Sequence, residues 1–134
     1  MKKAVLLATA GLLLLAGALF VFWPRAEAGA TTAQQSTPKH TVALSIADPK
    51  PGDNTVTLAV TDREGKPAAV DRVSLEPVMP QMGHALAPVG AQAEAPGRFR
   101  VHGFLFHMSG PWQLTVVLHG ASGVDRVVFP LLVK

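Results

Sequence analysis

From residue 41 onward, apolar residues alternate with polar or small residues, and this alternation is the strongest constraint on the fold. Residues 55–61 show it best, with Val56, Leu58 and Val60 separated by threonine or alanine. Side chains at alternate positions of an extended chain share one face, so the pattern predicts a strand with one buried face. Similar patterns occupy residues 41–47, 70–78, 97–106, 112–118 and 124–133. Clusters of proline, glycine, aspartate and asparagine separate them, which is typical of an all-β domain.

The spacing of these segments predicts about six to seven short strands and an immunoglobulin-like β-sandwich. A small open barrel is the alternative. Residues 79–96 contain Pro80, Pro88 and Pro96 and are rich in alanine. Because proline cannot donate to a strand ladder, we expect this stretch to be a long loop with only short edge pairing.

The N-terminus carries a different signal. Lys2 and Lys3 precede residues 4–23, which hold no charge and are long enough for a helix of about 30 Å, the thickness of the hydrocarbon core. The sequence therefore predicts a transmembrane anchor with the remaining chain exported to the periplasmic side of the bacterial inner membrane. Small residues at 26–30 also resemble signal cleavage sites, and cleavage would leave a soluble periplasmic protein.

These features divide the chain into three parts. Residues 1–28 are expected to form the anchor or signal peptide, residues 29–39 a flexible linker, and residues 40–134 the β-sandwich domain. The net charge of +3 comes largely from the first part, which holds three of the 12 basic residues and one of the nine acidic ones. The exported part is therefore nearly neutral, and no basic cluster suggests a nucleic-acid partner.

The methionines of the exported part lie outside the strands that are richest in valine and leucine. Met79 and Met82 belong to residues 79–84, MPQMGH, and Met108 to residues 104–112, FLFHMSGPW. Thioether sulfur suits Cu(I), imidazole suits both copper oxidation states, and the chain has no cysteine to act as a soft ligand. If residues 82–84 are extended, Met82 and His84 point the same way and can reach one ion, with Met108 as a third ligand. Alternatively, Met108 fills the core.

The other side chains that could carry chemistry are expected to have structural or solvent-exposed roles. His102 and His107 are predicted to face solvent, and His40 to lie at an edge without a partner. Asp125 is predicted to belong to a solvated charge pair with the arginine that follows it. Trp112 is expected to anchor the core.

Residues 79–84, together with 97–99 and 106–112, resemble the YtkA-like and FixH-like families of bacterial extracytoplasmic domains. The similarity covers roughly residues 40–133 and implies a β-sandwich associated with copper handling. It implies Met82, His84 and Met108 as ligands, with Met79 as a further candidate. Phe99 stands where such domains often have tyrosine, a change that affects packing only.

The resemblance implies a module that binds copper, Cu(I) in preference to Cu(II), and hands it to a partner. FixH-like members are associated with assembly of haem–copper oxidases, so the expected partner is such an oxidase or a copper efflux component. The alternative is a metal-free FixH-like interaction domain for oxidase or transporter assembly, with residues 79–96 as its contact surface. We expect no enzyme, because the sequence has no nucleophile elbow, paired carboxylates or phosphate-binding glycine loop.

Overall fold

The computed structural model describes residues 30–134, so the predicted N-terminal helix lies outside the described residues. Within that range, no helix is long and apolar enough to cross a membrane. The ten strands, in chain order, are β1 (Thr31–Ser36), β2 (Thr41–Ile46), β3 (Gly52–Thr61), β4 (Arg72–Met79), β5 (His84–Ala85), β6 (Val89–Gly90), β7 (Gln92–Ala95), β8 (Arg98–Phe106), β9 (Gly110–Gly120) and β10 (Gly123–Val133).

The strands form two antiparallel sheets. One sheet has the order β1-β2-β3-β8-β7, and the other has the order β10-β9-β4-β5, with β6 also pairing with β4. This arrangement confirms the all-β class predicted from the alternation. The structure has more strands than the six to seven expected, because residues 31–36 form β1 and the proline-rich stretch contributes the short strands β5, β6 and β7. The immunoglobulin-like assignment remains a prediction.

The core lies between the sheets and is built from the alternate residues that the sequence pattern selects. Each buried aliphatic side chain contributes about 1.5–3 kcal/mol relative to exposure, and with no cysteine in the chain this burial is not supplemented by disulfides. Trp112 is the largest buried side chain and is only 1% exposed, which confirms its predicted role as an anchor. The longer strands contribute Val42, Leu44, Ile46, Val56, Leu58, Val60, Val73, Leu75, Phe99, Val101, Leu105, Leu114, Val116, Leu118, Val127, Phe129, Leu131 and Val133.

The predicted flexible linker at residues 29–39 is wrong in its central part, because residues 31–36 are strand β1. This strand pairs in register with β2, from Thr31 opposite Ile46 to Ser36 opposite Thr41. Ala33 packs against the core from the partly buried face. The segment has little apolar surface of its own, and its order comes from backbone pairing with the edge of β2. The domain therefore begins before His40.

A bulge changes the direction of side chains at the end of β8. Gly52 of β3 lies opposite Phe106, but the next residue, Asp53, lies opposite Phe104, so Leu105 is an extra residue in β8. Both Leu105 and Phe106 are fully buried, although they are consecutive. A bulge adds a residue on one strand and increases the local twist. The bulge therefore keeps the side chains facing the core up to Phe106, the last residue of β8 before the following loop.

Hydrogen bonds between side chains join the β1–β2 turn to β10. His40 Nδ1 lies 2.8 Å from Asp125 Oδ2, and the Thr37 hydroxyl donates a hydrogen bond to the same oxygen. Asp125 is therefore bonded to His40 and is not simply a solvated charge pair, and the prediction that His40 has no partner is wrong. Burial alone would raise the pKa of Asp125, but hydrogen bonds from Thr37, His40 and the Arg126 backbone outweigh it and hold the pKa below the ordinary 3.8.

We predict that Asp125→Asn lowers the free energy of unfolding at pH 7 by roughly 1.5–3 kcal/mol, the range for hydrogen bonds to charged groups. A lowered pKa means that the carboxylate stabilises the fold above its unfolded-state pKa. This contribution is lost as the pH falls through the folded-state value. Urea unfolding should therefore show the deficit at pH 7 and a much smaller one below the folded-state pKa. Asp71→Asn, an exposed aspartate that also precedes an arginine, is the control; an equal deficit in both variants would contradict the prediction.

Gly97, in the turn before β8, is packed against backbone. Its φ is +70°, and a Cβ atom there would lie 2.6 Å from the carbonyl oxygen of Val60. That oxygen already accepts a hydrogen bond from the Ala68 N–H, and the Val60 N–H donates to Gly97 O. Hydrogen bonds at both its N–H and its carbonyl therefore hold the Val60 backbone that a side chain on Gly97 would have to displace.

We predict that Gly97→Ala lowers the free energy of unfolding by about 3 kcal/mol, from overpacking and positive φ together. Gly65→Ala is the matched control, because Gly65 has φ +78° with nothing within 4 Å of its Cβ position. It should cost only about 1 kcal/mol, from the backbone conformation alone. Chemical denaturation of the two variants measures the difference; equal losses would show that the Gly97 contact is not tight.

Candidate functional site

The chain reverses direction at the end of β4 in a tight turn. Met79 ends the strand, Pro80–Met82 form one turn of 3-10 helix, and Gly83 closes it with a left-handed conformation, φ 64°. The Gly83 N–H donates to the Pro80 carbonyl at 3.2 Å. Glycine adopts this conformation without a Cβ clash, so the chain turns back at once. His84 consequently lies directly opposite Met79 in the β4–β5 ladder.

The second segment is the connection between β8 and β9. Only His107, Met108 and Ser109 separate the two strands, and they carry the chain from one sheet to the other. The Trp112 Nε1–H donates to the Met108 carbonyl at 3.0 Å, so a core residue holds the backbone of this loop. We call residues 107–109 the crossing loop.

Pairing between β4 and β9 brings both segments to the same end of the sandwich. The strands are antiparallel, and Val78 lies opposite Gln113. The end of β4, with its turn, is therefore next to the start of β9, with the crossing loop. Two motifs that are separated by more than twenty residues in the chain become neighbours through one strand pairing.

His84 and His107 make the direct contact between the turn and the crossing loop. Their ring centroids are 5.0 Å apart and their planes differ by 10°, which is a stacked arrangement. Trp112 packs edge-on against His107 at 5.1 Å, with an interplanar angle of 86°. The prediction that His107 faces solvent is wrong, because the residue is partly buried and both of its ring nitrogens are shielded from solvent. His102 is exposed, as predicted, and lies 2.8 Å from the Thr55 hydroxyl.

The three methionines differ sharply in exposure. Met79 is 2% exposed and belongs to the core, where its methyl carbon would lie 3.1 Å from a Cβ atom placed on Gly110. Met82 is 54% exposed and Met108 is 37% exposed. Met108 is therefore not a buried core residue, which was the alternative to a ligand role. Two thioethers are accessible at this end, and the third is enclosed.

The backbone between Met82 and His84 is not extended, so the prediction that an extended segment points both side chains the same way is wrong. Met82 ends the 3-10 turn and Gly83 is left-handed, so the alternation of an extended strand does not apply. The pairing of the two residues now rests on their shared location beside the turn. The ring contact that the structure shows for His84 at this end is the stack on the imidazole of His107.

The chemistry available here is that of neutral soft and borderline donors. Imidazole nitrogen and thioether sulfur are the groups that bind Cu(I), and imidazole also binds Cu(II). Among residues 30–134, no three histidine, cysteine, aspartate or glutamate side chains are grouped so that they could hold a metal ion. The donors that the turn and the crossing loop offer are His84, His107, Met82 and Met108.

Comparison with known proteins identifies the family. No curated protein matches the chain. The family model described as YtkA-like matches residues 33–117, well over half of the chain, from β1 to β9. The match contains both the turn after β4 and the crossing loop, and it agrees with the resemblance carried by those segments. The FixH-like part of that resemblance remains a prediction. The chain belongs to the YtkA-like family.

Proposed function

We propose that this protein is an extracytoplasmic copper-binding module that holds copper through methionine and histidine side chains and hands it to a partner. The single observation that carries the proposal is the stacking of His84 on His107, because it joins the two motif-bearing segments at one end of the sandwich. His84, Met82 and Met108 are the proposed ligands. Their donor types favour Cu(I) over Cu(II).

The exposure of the methionines supports transfer more than permanent storage. Met82 and Met108 are both accessible from outside the protein, so a partner can approach copper bound to them. Handover requires that an incoming ligand reach the metal before the outgoing ligands have left. Closed metal sites resist such exchange, whereas sites with an open position permit it.

The proposed cellular setting follows from the sequence. Residues 4–23 are proposed to anchor the protein in the inner membrane, with the sandwich on the periplasmic side, or to be removed as a signal peptide. The proposed partner is a haem–copper oxidase or a copper efflux component that receives the ion. In this account the protein is a carrier and not an enzyme.

Competition for Cu(I) tests the proposal. The full chain, purified in detergent because residues 4–23 are strongly apolar, is titrated without oxygen against a Cu(I) chelator of known affinity. The wild type should take up about one Cu(I) per chain. His84→Ala and Met108→Leu should each weaken Cu(I) binding by at least about 10- to 100-fold. Removing a group that only supports a metal ligand already has an effect of this size, and loss of a ligand should cost no less. Met82→Leu should weaken Cu(I) binding in the same direction.

Met79→Leu is the matched control. It also removes a thioether from the same turn, but Met79 is enclosed in the core. A Met-to-Leu exchange of similar volume should cost less than about 1.5 kcal/mol of stability and leave Cu(I) affinity unchanged. A wild type that loses all copper to the chelator would contradict the proposal. So would His84→Ala and Met108→Leu variants that bind as tightly as the wild type. Either result would favour the metal-free interaction domain.

A further inference from the structure

The two ring nitrogens of His107 have an unusual environment: they are shielded from solvent, although the residue as a whole is only partly buried. Within residues 30–134, its Nδ1 and Nε2 are the only buried side-chain nitrogen or oxygen atoms that have no hydrogen-bond partner. A neutral imidazole carries one N–H donor and one acceptor nitrogen. Leaving a buried polar group unpaired is destabilising, so such groups are rare in native proteins and require an explanation.

The neighbours of His107 do not satisfy its nitrogens. The Trp112 N–H donates to the Met108 carbonyl and is not directed at the imidazole. His84 presents the face of its ring, because the two rings are nearly parallel. By contrast, His40 and His102 each have an oxygen partner 2.8 Å from Nδ1, as expected of histidines with a structural role. The contacts that the structure shows for the His107 ring are the stack on His84 and the edge-on packing with Trp112.

We propose that His107 is a copper ligand, acting with His84 and Met108 in the same site, and that Met79 is not one. This inference rests on the proposed function and extends its ligand set. His107 directly precedes Met108 in the crossing loop and stacks on His84, so it is adjacent to two proposed ligands. A metal ion is a partner that an imidazole lone pair can take in a place where no hydrogen-bond donor is available.

A second imidazole changes which forms of copper the site can hold. Thioether ligands select Cu(I), whereas imidazole suits both oxidation states, so a set with two imidazoles also retains Cu(II). Imidazole lone pairs lie in the plane of the ring, and two parallel stacked rings do not direct them at one point. One ring must therefore turn on loading. His84 is the ring that can do so, because it is exposed, whereas His107 is held between His84 and Trp112.

Pulsed electron paramagnetic resonance of the Cu(II)-loaded full chain counts the bound imidazoles through their remote nitrogens. We expect two in the wild type and one in His107→Gln. His107→Met should also show one imidazole, yet it should recover most of the Cu(I) affinity that His107→Gln loses, because a soft donor is restored. A purely structural role for His107 would not produce this split between the oxidation states.

Cu(I) competition on the same variants provides the second measurement. His107→Gln should bind Cu(I) at least about tenfold more weakly than the wild type. Removing a group that only supports a metal ligand already weakens binding by that factor. The control is His102→Gln, which alters an exposed histidine that already has a hydroxyl partner and should bind normally. Thermal unfolding of each variant verifies that it is folded.

The outcomes separate this inference from the function it extends. A wild type that binds copper with one imidazole, or a folded His107→Gln variant with unchanged Cu(I) affinity, would overturn the role of His107 and leave the copper proposal in place. A wild type that binds Cu(I) but no Cu(II) would also overturn the two-imidazole set. A wild type that binds neither ion would overturn both proposals.

Discussion

The antiparallel pairing of β4 with β9 is the constraint on which the candidate site depends. It runs from Arg72 opposite His119 to Val78 opposite Gln113, in the middle of the second sheet. Because the pairing is antiparallel, the turn that follows β4 and the loop that precedes β9 meet at one end. A shift of the register by one residue would turn the buried face of one of the two strands outward, so the core holds the register fixed. The position of the candidate site is thus set by the burial of apolar residues.

Two core residues, Trp112 and Met79, lie directly beside the candidate site. Trp112 is buried and packs on Phe106, yet its N–H holds the carbonyl of Met108 in the crossing loop. Met79 lies across the ladder from His84, yet its thioether is enclosed, while Met82 and Met108 are open to solvent. A rigid sandwich therefore presents accessible donors on short, well-anchored connections, which limits the reorganisation needed to bind an ion.

Strands could be predicted from the sequence where one hydrophobic periodicity dominates. They could not be predicted where strand pairing or a local backbone irregularity determines the structure. Alternation identified β2 and β3 because their buried residues are apolar, apart from Asn54 near the start of β3. β1 was missed because its order comes from the edge of β2 and its own residues are mostly polar. The Met82–His84 argument assumed an extended segment, which Pro80 and Gly83 prevent. His107 lies in a loop that follows a bulge, so the alternation along β8 does not predict its orientation. Its stack on His84 depends on the β4–β9 pairing and could not be inferred from either motif alone.

X-ray absorption spectroscopy of the Cu(I)-loaded full chain tests most directly whether the turn and the crossing loop jointly bind copper. The account predicts sulfur and imidazole nitrogen together in the first shell, with sulfur at about 2.3 Å by analogy with other soft-ligand bonds. A shell of only nitrogen or oxygen would contradict it, because the crossing loop and the turn would then not contribute their thioethers.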